Sequence, residues 1–470
     1  MKKRRRNIVF EQLEIVGVAD KGYGMARHDG KVVFVEKTIP GDIVDVQIQK
    51  NKSDYAMGYP IVFHKKSELR VDAFCEHFGT CGGCTWQNID YKTQLLFKKQ
   101  LVEDAFRRIG KVMDISTIPD VLPSPYEKYY RNKLEFTFSD SRWLLPEEMD
   151  IAVEGKNRNA LGFHIPKKFD KILDIKHCYL QPALSNEIRL ALKSYGLIHE
   201  LEFYNLHTHE GFLRNVIIRN TADNQIMVIV IVAKNDTVVI QKLMKHLQFT
   251  FPEITSLYYV VNSKVNDTIY DQEMHHFSGE EFIIEQIENI KYRLGPKSFF
   301  QTNTEQAKNL YHIAITMADL KKEDLVYDLY TGLGSIALLM ADKCKKVVGV
   351  ETVPTAVEDA IENAKLNGIE NCAFICGNMD KMFDAAFVET HGKPDVIITD
   401  PPRAGMHKDV VNQILQMEPR RIVYVSCNPA TQARDIQLLS EKYKVSKLQP
   451  IDMFPHTFHI ENIALLEKNN

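Results

Sequence analysis

The sequence predicts an α/β protein. It reads as a Rossmann-like C-terminal domain, an OB-like β-barrel at the N-terminal end, and a central α+β domain between them. Three observations carry this. From residue 325 onward, short β-branched runs alternate with helical stretches, the pattern of βαβ units. Between residues 11 and 64, short strand-like runs are separated by Gly- and Pro-marked turns. Residues 126–290 alternate strands and helices more loosely, behind a compact cysteine motif.

The chain of 470 residues is long enough for two or three domains with sizeable cores. It is 44% apolar and 26% charged, an ordinary balance for a globular protein. No apolar run approaches a membrane span and the N-terminus lacks the apolar stretch of a secretory signal, so no membrane partner and a cytoplasmic location are expected. Eight cysteines are too few for a disulfide scaffold; in a reducing compartment they read as ligands, nucleophiles or core residues. The net charge of −3 hides an asymmetry: residues 1–70 hold 14 Lys and Arg against 9 Asp and Glu, opening with Lys2, Lys3, Arg4, Arg5 and Arg6. Such a start suits phosphate, although a solubilising tail has the same composition.

In chain order, residues 13–18, 32–35, 43–48 and 57–63 are strand-like, and Gly22-Tyr23-Gly24, Asp29-Gly30 and Pro40-Gly41-Asp42 mark turns between them. Four or five such strands can curl into a small barrel of the kind that grips RNA. The stretch GYGMARHDGKVVFVEKTIPGD, residues 22–42, resembles the TRAM domain, an RNA-binding module of RNA-modifying enzymes.

Cys75 and Cys81-Gly82-Gly83-Cys84 put three sulfurs within reach of one metal centre. Zinc takes four N or S ligands, and an iron–sulfur cluster takes four thiolates. His77 could complete a zinc site, while Cys178 is the natural fourth thiolate for a cluster; three cysteines leave both open. Residues 91–109 read as an amphipathic helix ended by Gly110. Residues 134–138, 216–220 and 227–232 read as strands, and 185–195 and 237–247 as helices. Arg131, Lys133, Lys167 and Lys168 could meet phosphate, and a solvated face explains them equally well.

The C-terminal part is the most legible. Ser298-Phe299-Phe300-Gln301-Thr302-Asn303 precedes a helix that Thr302 or Asn303 can cap. Leu325–Leu329 is a strand followed by Tyr330-Thr331-Gly332-Leu333-Gly334-Ser335, and residues 347–350 form the next strand with Glu351 at its end. An acidic residue about twenty positions past a strand–glycine turn suits ribose hydroxyls. Gly332, Gly334 and Ala337 satisfy a dinucleotide pattern, but the glycines are delayed past Asp328, which looks more like an S-adenosylmethionine site. Asn378 and Asp380, after a third strand at 373–376, are placed to touch an adenine. Val396–Thr399 ends in Asp400-Pro401-Pro402-Arg403-Ala404-Gly405. The run Ile422-Val423-Tyr424-Val425 reads as a buried parallel strand that delivers Cys427 to the sheet's carboxyl end, where ligands bind in open α/β sheets. A buried structural cysteine is the bland alternative. Residues 444–454 and 463–466 finish the sheet, with Phe454–Glu461 between them; Cys344, Cys372 and Cys376 read as core residues.

SFFQTN, DPPRAG, VSCNP and FPHTFHIE, in this order, resemble the RNA uracil-5-methyltransferase family. With the TRAM-like segment and the cysteine motif, the chain is most similar to its 23S rRNA (uracil-5-)-methyltransferase branch. The resemblance implies a [4Fe–4S] cluster on Cys75, Cys81, Cys84 and Cys178, and S-adenosylmethionine contacts from Gln301, Tyr330, Glu351 and Asp400. It implies Cys427 as nucleophile and Glu461 as base, with RNA, most closely 23S rRNA, as the partner of a monomeric enzyme. The domains implied are 1–66 (TRAM-like barrel), 67–90 with 126–290 (iron–sulfur and RNA binding), and 91–125 with 291–470 (catalysis).

The chemistry asks for these residues on its own terms. Carbon 5 of uracil is a weak nucleophile. Thiolate addition at carbon 6 makes carbon 5 electron-rich, and a base must then remove its proton so that the cysteine can leave. A free thiol of pKa about 8.5 is only a few per cent ionised at neutral pH, so the site should favour the thiolate, and Arg403 is one cation able to do so. Four other readings compete. An RNA cytosine-5-methyltransferase would share the addition chemistry, but that family typically places a second cysteine after the proline of the Asp400 motif, and here Pro402 is followed by Arg403. A tRNA enzyme would share the chemistry, although such relatives commonly lack the TRAM and cysteine segments. An Fe–S oxidoreductase would use the Gly332 turn for a dinucleotide, and a non-catalytic RNA-binding protein would not need Cys427.

Overall fold

The computed structural model describes residues 8–111, 118–145, 148 and 158–469. The basic run at residues 2–6 lies outside them.

The N-terminal region is a six-stranded sheet ordered Ile8–Glu14, Ile43–Asn51, Tyr55–Lys65, Lys31–Val35, Tyr23–His28, Gly17–Ala19. Its two edge strands are consecutive in sequence, separated only by Ile15 and Val16. Three Cα steps reach under about 12 Å. A flat six-stranded sheet is about 24 Å across. The sheet therefore curls back on itself, and Leu13, Ile15, Ala26, Val33, Val44, Val46 and Ala56 fill the interior. This is the expected barrel, with two strands more than the four read from sequence.

The central region is a seven-stranded sheet ordered His275–Gly279, Ile254–Val261, Ile226–Val232, Leu213–Asn220, Lys133–Ser139, Ala160–Ile165, Lys168–Asp174. The helices Ala183–Ile198 and Thr237–Thr250 share a core with one of its faces. On the other side, Ile217, Met227, Ile229 and Ile231 join a single core with Ala307, Leu310, Ile336 and Val423 of the C-terminal region. The boundary placed near residue 290 is thus not a break in packing.

The C-terminal sheet also has seven strands, ordered Cys372–Cys376, Lys346–Glu351, Leu325–Leu329, Val396–Thr399, Arg421–Ser426, Glu461–Lys468, Tyr443–Ile451. The first five are parallel, and Glu461–Lys468 runs antiparallel to both of its neighbours, Arg421–Ser426 and Tyr443–Ile451. The chain order reverses between Leu325–Leu329 and Val396–Thr399, so the switch-point crevice opens beyond their carboxyl ends. The final strand begins at Glu461, two residues earlier than expected from sequence.

The helix Tyr91–Arg108 is capped by Asp90, whose side chain accepts the Thr93 N–H at 3.1 Å. Although it lies early in the chain, Val102, Ala105 and Phe106 pack with Tyr327, Tyr424 and Ala433 of the C-terminal region. The barrel docks at its other end, where Val18 and Ile39 cluster with Trp86, Ile89 and Phe97, with Phe458 against them. Gly22, at φ +70°, makes this approach possible: a Cβ there would lie 3.0 Å from Trp86 Nε1 and 3.3 Å from Phe458 Cβ. Among the described residues, no helix is long and apolar enough to cross a membrane.

Candidate active site

A cleft of about 1050 Å³ lies at the switch point. Gln301, Tyr330, Glu351, Asp400, Cys427 and Glu461, drawn from six separate segments, all line it. A parallel sheet turns out its strands' carboxyl ends on one side, which brings Tyr330, Glu351, Asp400 and Cys427 to one rim. Asn378 does not join them. It is exposed, beyond the strand at the sheet's edge, and does not line the cleft.

The turn after Leu325–Leu329 is tightly specified. Tyr330 sits at φ +64°, a left-handed conformation that a bulky residue rarely adopts. Thr331 Oγ1 donates to Asp328 at 2.6 Å, and the Gly332 N–H donates to Glu351 Oε2 at 3.1 Å. The other Glu351 oxygen accepts the Thr352 and Val353 N–H groups at 2.7 and 3.1 Å. Glu351 therefore ties two strand ends together at the cleft wall. Gly334 is at φ +85°, and a Cβ would press to 3.1 Å from Phe374.

The cleft floor is acidic and desolvated. Burial pushes Asp328 and Asp400 each up to about 7, and each carboxylate is disfavoured by a neighbouring one. Burial, then Asp400, raises Glu461 well above the ordinary carboxylate range, while Arg403 opposes this. Burial, then Glu461 and Asp400, pushes the Cys427 thiol up to about 12, and Arg403 is the cation that pulls it down. Arg403 is held in place: its carbonyl accepts from Asn428 Nδ2 at 3.1 Å and Thr431 Oγ1 at 3.2 Å, and its Nη2 lies 3.1 Å from His459 Nδ1. Burial and Arg403 hold His459 down to about 4, so it is neutral at neutral pH and accepts from the guanidinium. The cation sought from sequence is thus Arg403.

The segment leading to Glu461 is anchored from behind. Lys98 Nζ donates to Asp452 at 2.6 Å, with both side chains fully buried, and Tyr91 OH donates to the other Asp452 oxygen at 2.8 Å. Gln94, also fully buried, accepts the His456 N–H at 2.9 Å and reaches His456 Nδ1 at 3.1 Å. His456 is a structural joint in this arrangement, at φ +64°. Sequence reading missed Gln94 and Lys98 as supports, because a polar residue on an amphipathic helix reads as solvated. It also missed Arg131, Tyr270 and Phe454 as cleft walls.

Cys75, Cys81, Cys84 and Cys178 line a second, smaller cavity, walled by Phe163, Ile175 and Leu180. The Gly83 N–H donates to Cys81 Sγ at 3.3 Å. Burial raises all four thiols, Cys81 to about 12 and Cys84 to about 11, and the other sulfurs add to the rise at Cys81. Tetrahedral zinc would hold its sulfurs roughly 3.8 Å apart. Among the described residues, no three of these sulfurs lie within 4.8 Å of one another. An iron–sulfur cluster carries its thiolates on separate irons and tolerates a wider set. His77 also lines this cavity, and its Nε2 is occupied, accepting the Lys176 N–H at 2.9 Å. The other cysteines divide: Cys344 is buried, Cys372 half-buried, and Cys376 exposed rather than in the core as expected.

Comparison with known proteins gives a consistent result. Residues 220–469 match the tRNA (uracil-5-)-methyltransferase family and residues 11–61 match the TRAM domain. An "uncharacterized RNA methyltransferase" of Bacteroides thetaiotaomicron is 50% identical over 453 residues, 96% of this chain and 100% of the relative. One of Chlorobaculum tepidum is 38% identical, covering 96% of this chain and 94% of the relative. The crystal structure of Pyrococcus abyssi tRNA (uracil-54, C5)-methyltransferase in complex with S-adenosyl-L-homocysteine superposes with a TM-score of 0.74 at 28% identity. It covers 96% of this chain and 99% of that one. A fold with its crevice at the switch point, a TRAM barrel and these relatives lead to one conclusion: the chain belongs to the tRNA (uracil-5-)-methyltransferase family and is an S-adenosylmethionine-dependent RNA methyltransferase.

Proposed function

We propose that this enzyme methylates carbon 5 of a uridine in 23S rRNA, with Cys427 as nucleophile and Glu461 as base. The observation that carries the reading is the meeting of Cys427, Glu461, Asp400 and Arg403 in one desolvated cleft. S-adenosylmethionine supplies the methyl group, and Gln301, Tyr330, Glu351 and Asp400 are the residues suited to hold it. The Cys427 thiolate adds to carbon 6 of the base, and electron density rises at carbon 5. Arg403 stabilises the thiolate before addition. Once carbon 5 is methylated, Glu461 takes its proton, the carbon 5–carbon 6 double bond re-forms and the thiolate leaves. Extruding a stacked base costs on the order of a few kcal/mol, which contacts from the barrel (1–66) and the central region would offset.

Cys75, Cys81, Cys84 and Cys178 would hold a [4Fe–4S] cluster. Methyl transfer needs no electron, so the cluster's part is structural. The 23S branch is supported by the order of the four motifs together with the TRAM and cysteine segments. A tRNA substrate is the second reading. It is favoured by the Pyrococcus abyssi enzyme, a tRNA methyltransferase whose structural match extends over 96% of this chain.

The experiment is methylation of unmodified 23S rRNA and of tRNA, each supplied separately with labelled S-adenosylmethionine, followed by nucleoside identification by mass. Label in 5-methyluridine from 23S rRNA is expected. Label only from tRNA would keep the chemistry and replace the substrate. Label in neither, with the cofactor bound, would defeat both.

A further inference from the structure

A second pocket, of about 280 Å³, adjoins the catalytic cleft and is lined by Lys133, Glu135, Ile217, Asp267, Tyr270 and Pro296. Tyr270 lines both spaces, so the pocket and the cleft that holds Cys427 meet at this residue. That ring is 60% exposed, with an open face for stacking.

The strand chemistry here is unusual. Lys133 and Glu135 alternate on Lys133–Ser139 and point away from the core that takes Leu134 and Phe136. In the register with Leu213–Asn220, Lys133 stands directly opposite Arg219, and Glu135 opposite Ile217. Like charges placed opposite each other destabilise a sheet. Arg219 is occupied, donating to the Gly295 and Ser298 carbonyls at 3.1 and 2.6 Å. The Lys133 ammonium makes no side-chain hydrogen bond among the described residues, and Glu135 is the carboxylate that acts on it. Burial and the Arg219 charge pull Lys133 down to about 8, a loss that a bound anion would reverse. Of the two carboxylates, Asp267 is committed to Arg214 at 2.8 Å. Glu135 takes a 3.4 Å contact from Asn215; burial raises its carboxyl and the neighbouring Lys133 charge pulls it back down.

We propose that this pocket binds the nucleotide next to the methylated uridine, with phosphate at Lys133, the base stacked on Tyr270, and an amino-bearing base edge at Glu135. The proposal rests on the uridine reading above, because a base drawn into the cleft leaves its neighbour unstacked beside Tyr270. A carboxylate accepts from the exocyclic amino groups of cytosine, adenine or guanine, whereas uracil carries no amino group and offers only its ring N3–H, flanked by two carbonyls that a carboxylate repels. The pocket is therefore a sequence filter: it selects an amino-bearing base beside the target.

The test uses whichever RNA is methylated in the experiment above. Each nucleotide within two positions of the target is changed in turn to uridine and kcat/KM is measured. One position is expected to lose about tenfold to a hundredfold. In Glu135→Ala that loss should vanish, with S-adenosylmethionine affinity at its wild-type value as evidence of intact folding. Lys133→Ala should weaken binding of all sequences and lower the salt dependence by about one ion. A target flanked only by uridines, indifference at every position, or a preference that survives in both Glu135→Ala and Tyr270→Leu would each overturn the pocket while leaving the methylation reading intact. Failure to methylate any RNA overturns that reading, and this proposal with it.

Discussion

Cys427 and Glu461 face each other across the two strands at the turn from parallel to antiparallel in the catalytic sheet. Ser426 pairs with Asn462, the last step of that register, and Cys427 and Glu461 are the residues immediately beyond it, close enough for the carboxylate to act on the thiol. An antiparallel partner beside a parallel strand is what makes this possible, since it brings its amino end, not its carboxyl end, to the ligand rim. Gln432 locks the pair of strands from below, donating to the Tyr424 and Asn462 carbonyls at 2.7 and 3.0 Å.

The two residues should fail differently. Cys427→Ala removes the group that adds to carbon 6, so methylation is expected to fall by at least about a thousandfold, with no covalent species. Glu461→Gln leaves addition possible but blocks loss of the carbon 5 proton. A protein–RNA adduct resistant to denaturing gel electrophoresis should accumulate, and Cys427→Ala should abolish it. A Glu461→Gln enzyme that turns over normally would remove Glu461 from the reaction.

Arg403 sets the direction of the pH profile. The thiol is held high, near 12, and Glu461 is raised as well. Both act deprotonated, so kcat/KM, which reports the free enzyme, should climb as pH rises through neutrality. Removing the cation raises the thiol further. The thiolate fraction at neutral pH then drops about tenfold for every unit by which the thiol pKa rises. Arg403→Ala should lower kcat/KM at neutral pH in that proportion and move the climb to more alkaline pH. A profile of unchanged shape in Arg403→Ala would assign the thiolate's stabilisation to another group.

Much of this site was legible because the parallel sheet is a strong constraint. A βαβ order and short apolar runs are enough to place Asp328, Glu351, Asp400 and Cys427 at one rim. What was not legible came through packing between segments far apart in sequence. Asn378 follows the sheet's edge strand, and nothing in its local sequence shows that it turns outward. Tyr270 lies in an irregular stretch with no periodicity to reveal it. Gln94 and Lys98 look like solvated positions of an amphipathic helix until the Asp452–His456 segment is laid over them. The pocket at Lys133 depends on a cross-strand register that links residues far apart in sequence.

The buried Lys98–Asp452 pair should be costly to break. Lys98→Met leaves Asp452 desolvated with only Tyr91 and the Phe454 N–H to satisfy it. Breaking such a pair typically costs about 3–5 kcal/mol. Chemical denaturation should show a loss of unfolding free energy of that size, read as a lower midpoint with an unchanged slope. Because Asp452 leads into the segment ending at Glu461, kcat should fall while S-adenosylmethionine affinity holds. An unfolding free energy within about 1 kcal/mol of wild type would mean that the pair is held together by its surroundings rather than holding them.

The cysteine segment and the catalytic segment are joined by backbone. The Thr85 and Trp86 N–H groups, directly after Cys84, both donate to the His456 carbonyl, at 2.9 and 3.0 Å. Tyr130 OH donates to the Pro455 carbonyl at 3.1 Å, and the Phe74 ring meets His456 edge-on at 5.0 Å. Whatever orders Cys75–Cys84 therefore also orders the approach to Glu461. In the proposed cluster reading, Cys84→Ser should abolish visible cluster absorption and lower the melting temperature. It should cut kcat more than it weakens RNA affinity, because the disturbed contact lies behind the base and not on the barrel's outer face. The opposite pattern, intact kcat with RNA affinity lost, would place the cluster's role in RNA binding; full activity without the absorption would leave the segment ordered by its hydrogen bonds alone.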